Sequence, residues 1–166
     1  MLNDSRIDIY DFLHSVIDNT VTANVYDMDF PQELTKTDAD NGFLVLHVGG
    51  LNDESAFSRS AYAWTRCYVE AFVPPISRGR LNRQKYKDFE SKLNKCIRKA
   101  ARQNANQSYY IVEESILSME GTEVSNANNA YHTFAKSFIV YVLTNPNKEQ
   151  TFNNDFNNDF DIEFNN

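Results

Sequence analysis

The chain reads as an α+β fold: a single domain whose antiparallel-rich sheet carries both of its helices on one face, in the order α-β-β-β-α-β-β. Three stretches predict it. From Ala61 to Val73 small and β-branched residues alternate with larger ones. From Asn82 to Gln103 the apolar residues recur at helical spacing, and Tyr109–Met119 and His132–Leu143 are two further strand-like runs. Strands that follow one another in sequence mostly pair antiparallel, which gives the sheet its expected character.

Taken from the start, Asn3, Asp4 or Ser5 can cap a first helix whose apolar stripe is Ile9, Phe12, Leu13, Val16 and Ile17 and which should end near Asn19. Asp4 and Asp8 sit near the positive end of its dipole. Thr20–Tyr26 reads as a strand with Val21, Ala23 and Val25 inward. FPQELTKTDADNG reads as a polar loop, and Phe43–Val48 as a short apolar strand closed by Gly49-Gly50. Asp53–Ser58 reads as a loop or a short helical turn before the long strand.

In that long strand Ala61, Ala63, Thr65, Cys67, Val69, Ala71 and Val73 share one face. Tyr62, Trp64, Arg66, Tyr68, Glu70 and Phe72 share the other, which mixes aromatics with two charges and should be partly wet. At about 3.3 Å per residue the run spans roughly 40 Å, so it either bends at a bulge near Arg66 or projects past its own sheet. Pro74-Pro75 cannot donate to a ladder and ends it. In the last strand His132, Phe134, Lys136, Phe138, Val140 and Val142 share one face, and GTEVSNANNAY before it reads as a polar loop, long for a hairpin.

The helix after the prolines is strongly basic. Asn82 is a fair N-cap, and Tyr86, Phe89, Leu93, Cys96, Ile97 and Ala100 gather into a core-facing arc of about 100°. Lys85, Lys87, Lys92, Lys95, Arg98, Lys99 and Arg102 occupy the opposite arc, with Arg78 and Arg80 on the approach. Residues 78–102 hold ten Lys or Arg against two acids, a net of +8, which leaves −15 for the remainder of a chain whose total is −7. A chain so divided favours head-to-tail contact between copies, or docking on a polyanion. Arg78, Arg80, Lys85, Lys92, Lys95, Arg98, Lys99 and Arg102 are therefore the candidate contacts to a neighbouring subunit or partner.

The 166 residues, 42 % hydrophobic and 13 % aromatic, suit one domain with a real core, placed at 1–144. No apolar run approaches the roughly 20 residues of a membrane span, and MLNDSRIDIY resembles no export signal, so the expected setting is inside a cell. Cys67 and Cys96 lie on core-facing positions without metal-type spacing. Asp38–Gly42, DADNG, lacks the Gly and Glu that a calcium loop needs at its sixth and twelfth positions, where Phe43 and Gly49 stand. Gly49-Gly50 is not followed by the Lys of a phosphate loop, and His14, His47 and His132 show no ligand spacing. No catalytic residue, metal or cofactor is expected, and enzyme is the least favoured class. Nucleic-acid binding is the main rival: the cations could neutralise phosphates, and Trp64 and Tyr68 could stack on bases. A net charge of −7 opposes general affinity for nucleic acid.

Residues 145–166 differ from the rest. Phe152, Phe156, Phe160 and Phe164 recur on an Asn and acid background, with no Lys or Arg after Lys148. Alone, this composition does not favour helix or strand. A partner that imposed helix would find the four rings on one slowly turning face, a recognition segment with aromatic anchors and acids that can meet basic residues.

The order of elements over residues 4–144 is similar to the tail-terminator and neck-protein fold of tailed bacteriophages. IYDFLHSVI, TVTANVYDMDF, AYAWTRCYVEAFVPP, KYKDFESKLNKCIRKAA, YYIVEESILSM and HTFAKSFIVYVL carry the likeness, and the Asn- and Tyr-rich bias resembles large crAss-like phages of gut Bacteroidetes. The resemblance implies a structural virion protein at the head-tail joint, its copies in a ring of six or twelve between connector and tail proteins, with DNA passing transiently through the lumen. It implies no catalytic residues, no cofactor and no membrane partner. The alternative is a small nucleic-acid- or host-protein-binding module that acts through the helix at 82–103.

Overall fold

A computed structural model describes residues 6–17, 21, 23–29, 31–52, 62–76, 80–103, 108–126 and 129–143. Its elements are α1 (Arg6–Ile17), β1 (Asn24–Asp27), α2 (Lys36–Asn41), β2 (Phe43–Val48), β3 (Tyr62–Val73), α3 (Arg83–Gln103), β4 (Tyr109–Ile111), a 3-10 turn (Glu113–Ser115), β5 (Leu117–Asn126) and β6 (Asn129–Leu143). The fold is α+β, as the periodicities predict. The sheet runs β1-β2-β3-β6, with β4 and β5 both on the far side of β6. Every pairing is antiparallel except β1 with β2, which is parallel.

β3 and β6 form the spine. They pair without interruption from Tyr62↔Leu143 to Val73↔His132, so β3 is straight through Arg66 and no bulge forms there. It outruns β2, which reaches only to Cys67. The odd residues of β3 and the even residues of β6 face one way, and across that face lie α1 and α3. Their joint core holds Ile9, Leu13 and Ile17 of α1, Leu44 and Leu46, Cys67, Val69 and Ala71, Phe89, Leu93, Cys96 and Ile97 of α3, and Phe134, Phe138 and Val140. The Lys85 N–H donates to Asn82 Oδ1 at 3.1 Å, so Asn82 caps α3 as its side chain predicts.

Two polar loops of the sequence reading turn out to be structured. Residues 36–41 form α2, because Thr35 Oγ1 accepts from the Asp38 N–H while the Asp38 carboxylate accepts from the Thr35 N–H, a reciprocal capping box. Within GTEVSNANNAY, residues 121–126 and 129–131 are strand, not loop. β5 continues to Asn126 and β6 begins at Asn129, its partner across the ladder, which makes a long hairpin with a register shift between Glu120 and Glu123. The expected strand at 109–119 is broken by the 3-10 turn, where Ser115 Oγ replaces a strand carbonyl and accepts from the Ile139 N–H at 2.8 Å. The expected caps of α1 lie outside the described residues. So do residues 144–166, including Phe152, Phe156, Phe160 and Phe164, and so does Arg78.

Candidate functional site

Two surfaces on opposite sides of the sheet carry the molecule's distinctive chemistry. The first is the outer face of α3. Phe89, Leu93, Cys96 and Ile97 hold the helix on the sheet, which turns Lys95 and Lys99 outward. A shallow open depression runs along this face between Ser91, Asn94, Lys95, Arg98, Lys99 and Arg102.

The expected cations are not equivalent. Lys92 Nζ pairs with Asp88 one turn earlier at 2.9 Å. Arg102 Nη2 lies 2.7 Å from Glu113 Oε1, with Arg98 Nη1 at 3.5 Å, so the far end of α3 is pinned to the 3-10 turn. The hydrogen bond from Arg102 holds the Glu113 carboxyl below its ordinary range, helped by the charges of Arg102 and Arg98, and the same bond raises the Arg102 guanidinium. Lys85, half-buried, donates its Nζ to the Asp40 carbonyl and fastens α3 to the end of α2. Among the described residues no carboxylate pairs with Arg80, Arg83, Lys87, Lys95 or Lys99, all of them exposed. Among the described residues 80–103, these are the positions at which positive charge reaches solvent without a carboxylate partner.

The second surface is the opposite side of the sheet, which among the described residues has no helix lying across it. One corner is closed: Phe43 stacks on Phe72 at 4.6 Å, and Tyr131 meets Phe43 edge-on at 5.4 Å, in a small core with Val45 that Tyr26 and Leu34 cover. The rest is open. Register places Trp64, Arg66 and Tyr68 of β3 beside Tyr141, Ile139 and Ser137 of β6. Tyr110 follows on β4, and Leu117 and Met119 on β5. Leu117 and Met119 are 55 % and 53 % exposed, values that set them apart from the buried residues of the helix-covered face. Tyr110 stacks on Tyr141 at 5.7 Å, while His47 stacks on Tyr68 at 4.2 Å with its Nε2 3.6 Å from Glu70. Arg66 is fixed over this face by its bond to Ser137 Oγ at 3.1 Å.

Several other titratable groups have their partners within the fold. Asp38 is fully buried, and its carboxylate accepts from Asn24 Nδ2, the Tyr26 hydroxyl, the Thr35 N–H and the Thr35 hydroxyl, each at 2.8 Å or less. Burial pushes its pKa up, but these four bonds together outweigh burial and leave it below the ordinary aspartate value. DADNG is thus a helix end whose one buried acid is already saturated by the protein. Lys136, buried on the helix side, reaches Ser118 Oγ at 2.6 Å and Glu90 at 3.3 Å. His14 pairs with Asp27 at 2.7 Å. Burial pushes the thiols of Cys67 and Cys96 up to about 12 and about 11, so neither is a thiolate at neutral pH. Among the described residues no three His, Cys, Asp or Glu side chains converge on a metal position, and no helix is long and apolar enough to cross a membrane.

The sequence reading identified the cationic helix but not the open apolar face. The alternation of β3 and β6 divides their residues correctly between two sides; which side stays uncovered follows from where α1 and α3 pack. Leu117 and Met119 at alternate positions were the available signal. Compared with known families and curated proteins, the chain matches no family model and no curated protein.

Proposed function

We propose that this protein is a structural ring subunit of a tailed-phage neck, at the joint between capsid connector and tail, with the packaged DNA passing through the ring. One observation carries the assembly half of this reading: a cationic helix on one side of the sheet and an apolar, aromatic sheet face on the other. The cationic face repels its own copy, so contacts made through it are heterologous, and heterologous contacts close into rings when the rotation allows. The neck location rests on the likeness in element order to terminator and neck proteins. Light scattering on the purified protein and electron microscopy of phage particles test it together. A closed oligomer of six or twelve, found at the neck, is the expected result. A strict monomer that is absent from particles overturns it.

A second reading has one specific support, the uncompensated charge at Arg80, Arg83, Lys87, Lys95 and Lys99. A nucleic-acid- or host-protein-binding module would use these same positions. Titration of a DNA duplex against salt separates the two. A ring subunit that only passes DNA shows weak affinity, whereas a binding module shows a log-log slope near −0.9 for each phosphate it neutralises.

A further inference from the structure

Four of the five exposed cations without a carboxylate partner form one row. Arg83, Lys87, Lys95 and Lys99 stand at i, i+4 spacing along α3, interrupted only by Ser91, and every side chain of the row is exposed. At about 1.5 Å per residue the row is about 24 Å long. The cations that flank it are engaged inside the fold: Lys85 with the Asp40 carbonyl, Lys92 with Asp88, and Arg98 and Arg102 with Glu113. The shallow depression beside the row is walled by the methylene stems of Lys95, Arg98, Lys99 and Arg102, so it offers apolar surface beneath positive ends. A segment that fits this face carries acids spaced along its length with apolar groups between them.

The chain itself has that composition, and it leaves the described fold near this face. Residues 149–166 hold Glu149, Asp155, Asp159, Asp161 and Glu163 among the four phenylalanines, with no Lys or Arg. β6 ends at Leu143, whose N–H donates to the Ser108 carbonyl at 2.9 Å. Ser108 is five residues beyond Gln103, the last residue of α3, and five residues span at most about 18 Å. The point of exit is therefore no further than about 30 Å from Lys99. Asp155 is twelve residues beyond Leu143, a reach of about 40 Å, so the acids extend to the row without leaving the neighbourhood of their own α3.

We infer that residues 149–164 dock on the cationic row of α3 in their own chain. Asp155, Asp159, Asp161 and Glu163 meet Lys99, Lys95 and Lys87, and the phenylalanine rings cover the stems in the depression. Each exposed ion pair is weak alone, but several on one tether act together. The segment comes from the same chain because a tether of about a dozen residues holds its acids near α3 at an effective concentration of order mM, far above that of neighbouring copies in dilute solution. The docked segment masks the charge that the ring reading assigns to contact with a neighbour's acidic surface. A neighbour must displace it, which gives assembly a concentration threshold. This last step rests on the ring reading, and the docking does not.

In the test, unlabelled and isotope-labelled full-length chains are mixed in urea, refolded together at high dilution and treated with a carbodiimide, which joins a lysine amine to a carboxylate it touches. Mass spectrometry of the peptides reads the links. The expected result is links from Lys95 or Lys99 to Asp155, Asp159, Asp161 or Glu163 within chains of one isotope composition. Their yield should be at least about fivefold above that at Lys36, an exposed lysine of α2, and should be lost in about 1 M salt, where the screening length falls to about 3 Å. Links between labelled and unlabelled chains place the segment on another copy and overturn the inference, as do yields no higher than at Lys36. Light scattering over a concentration series keeps the ring reading apart. Links in a chain that stays monomeric reject the ring alone, and a ring that forms from subunits without links rejects the docking alone. The links should fade as the ring forms, and links undiminished in the ring overturn the masking.

Discussion

At the scale of single residues, Asp38 is the group whose loss has the sharpest signature. Four donors converge on it, from β1, from the residue that caps α2 and from that residue's side chain, so it joins the edge strand to the short helix α2. Asp38→Asn keeps the shape but turns two acceptor oxygens into one, leaving a donor facing a donor. The expected cost is about 2–3 kcal/mol at neutral pH, as for a buried charged acceptor removed from its donors. The pH dependence follows from the lowered pKa. A carboxyl that ionises more readily folded than unfolded stabilises fully above its unfolded value, and this contribution fades as pH falls through the folded value. The gap in stability between the native protein and Asp38→Asn should therefore be constant above about pH 5 and shrink below about pH 4. Urea denaturation of both proteins at pH 7 and pH 3 measures it, and a gap of the same size at both would contradict the lowered pKa.

At the scale of elements, Gly42 shows how a short helix is made to end against a strand. It closes α2 with φ at +82°, its N–H bonded to the Asp38 carbonyl at 2.9 Å, and a Cβ there would collide with the Phe72 carbonyl oxygen. Gly42→Ala should cost more than about 1 kcal/mol, because both the left-handed backbone and the close approach oppose it. Thermal unfolding checks this, and an unchanged midpoint would mean that β2 and β3 can separate there without loss. The same region marks where the sequence stops being legible. β3, β6 and α3 were readable because their apolar residues keep one period over twelve or more positions. α2 was not, since its six residues carry no apolar stripe and only Thr35 and Asp38 signal it. Residues 121–126 look like loop because GTEVSN has neither alternation nor an apolar run, and it is the ladder with β6 that makes them strand. The cations of α3 could be placed on its outer face by angle alone. Glu113 and Asp40, which engage three of them, come from other elements and had no signal in the helix itself.

At the scale of the whole molecule, the question is whether the outward positive charge of α3 serves the fold or the assembly. The triple reversal Lys92→Glu, Lys95→Glu and Lys99→Glu separates the two. Within the domain it removes one exposed pair, Lys92 with Asp88, whose worth is about 0.3–0.5 kcal/mol, and sets two acids one turn apart in its place. The acid that Lys99→Glu introduces near the negative end of the helix adds about 0.3–1 kcal/mol of cost, partly offset because Lys95→Glu places a carboxylate within a turn of Arg98. The apolar stripe is untouched, so the circular dichroism spectrum should not change and the loss of stability should stay below about 2 kcal/mol. Each reversal subtracts two charges, which takes the chain from −7 to −13 and makes the outer face of α3 acidic, so that in the proposed ring it would no longer attract an oppositely charged neighbour. On the proposed ring, association should weaken by at least about tenfold, equivalent to about 1.4 kcal/mol, and should respond less to salt than association of the native protein. Sedimentation velocity over a salt series reads both quantities. A folded variant that assembles as tightly as the native protein, with the same response to salt, would remove the α3 face from the proposed interface and leave the open sheet face as its candidate.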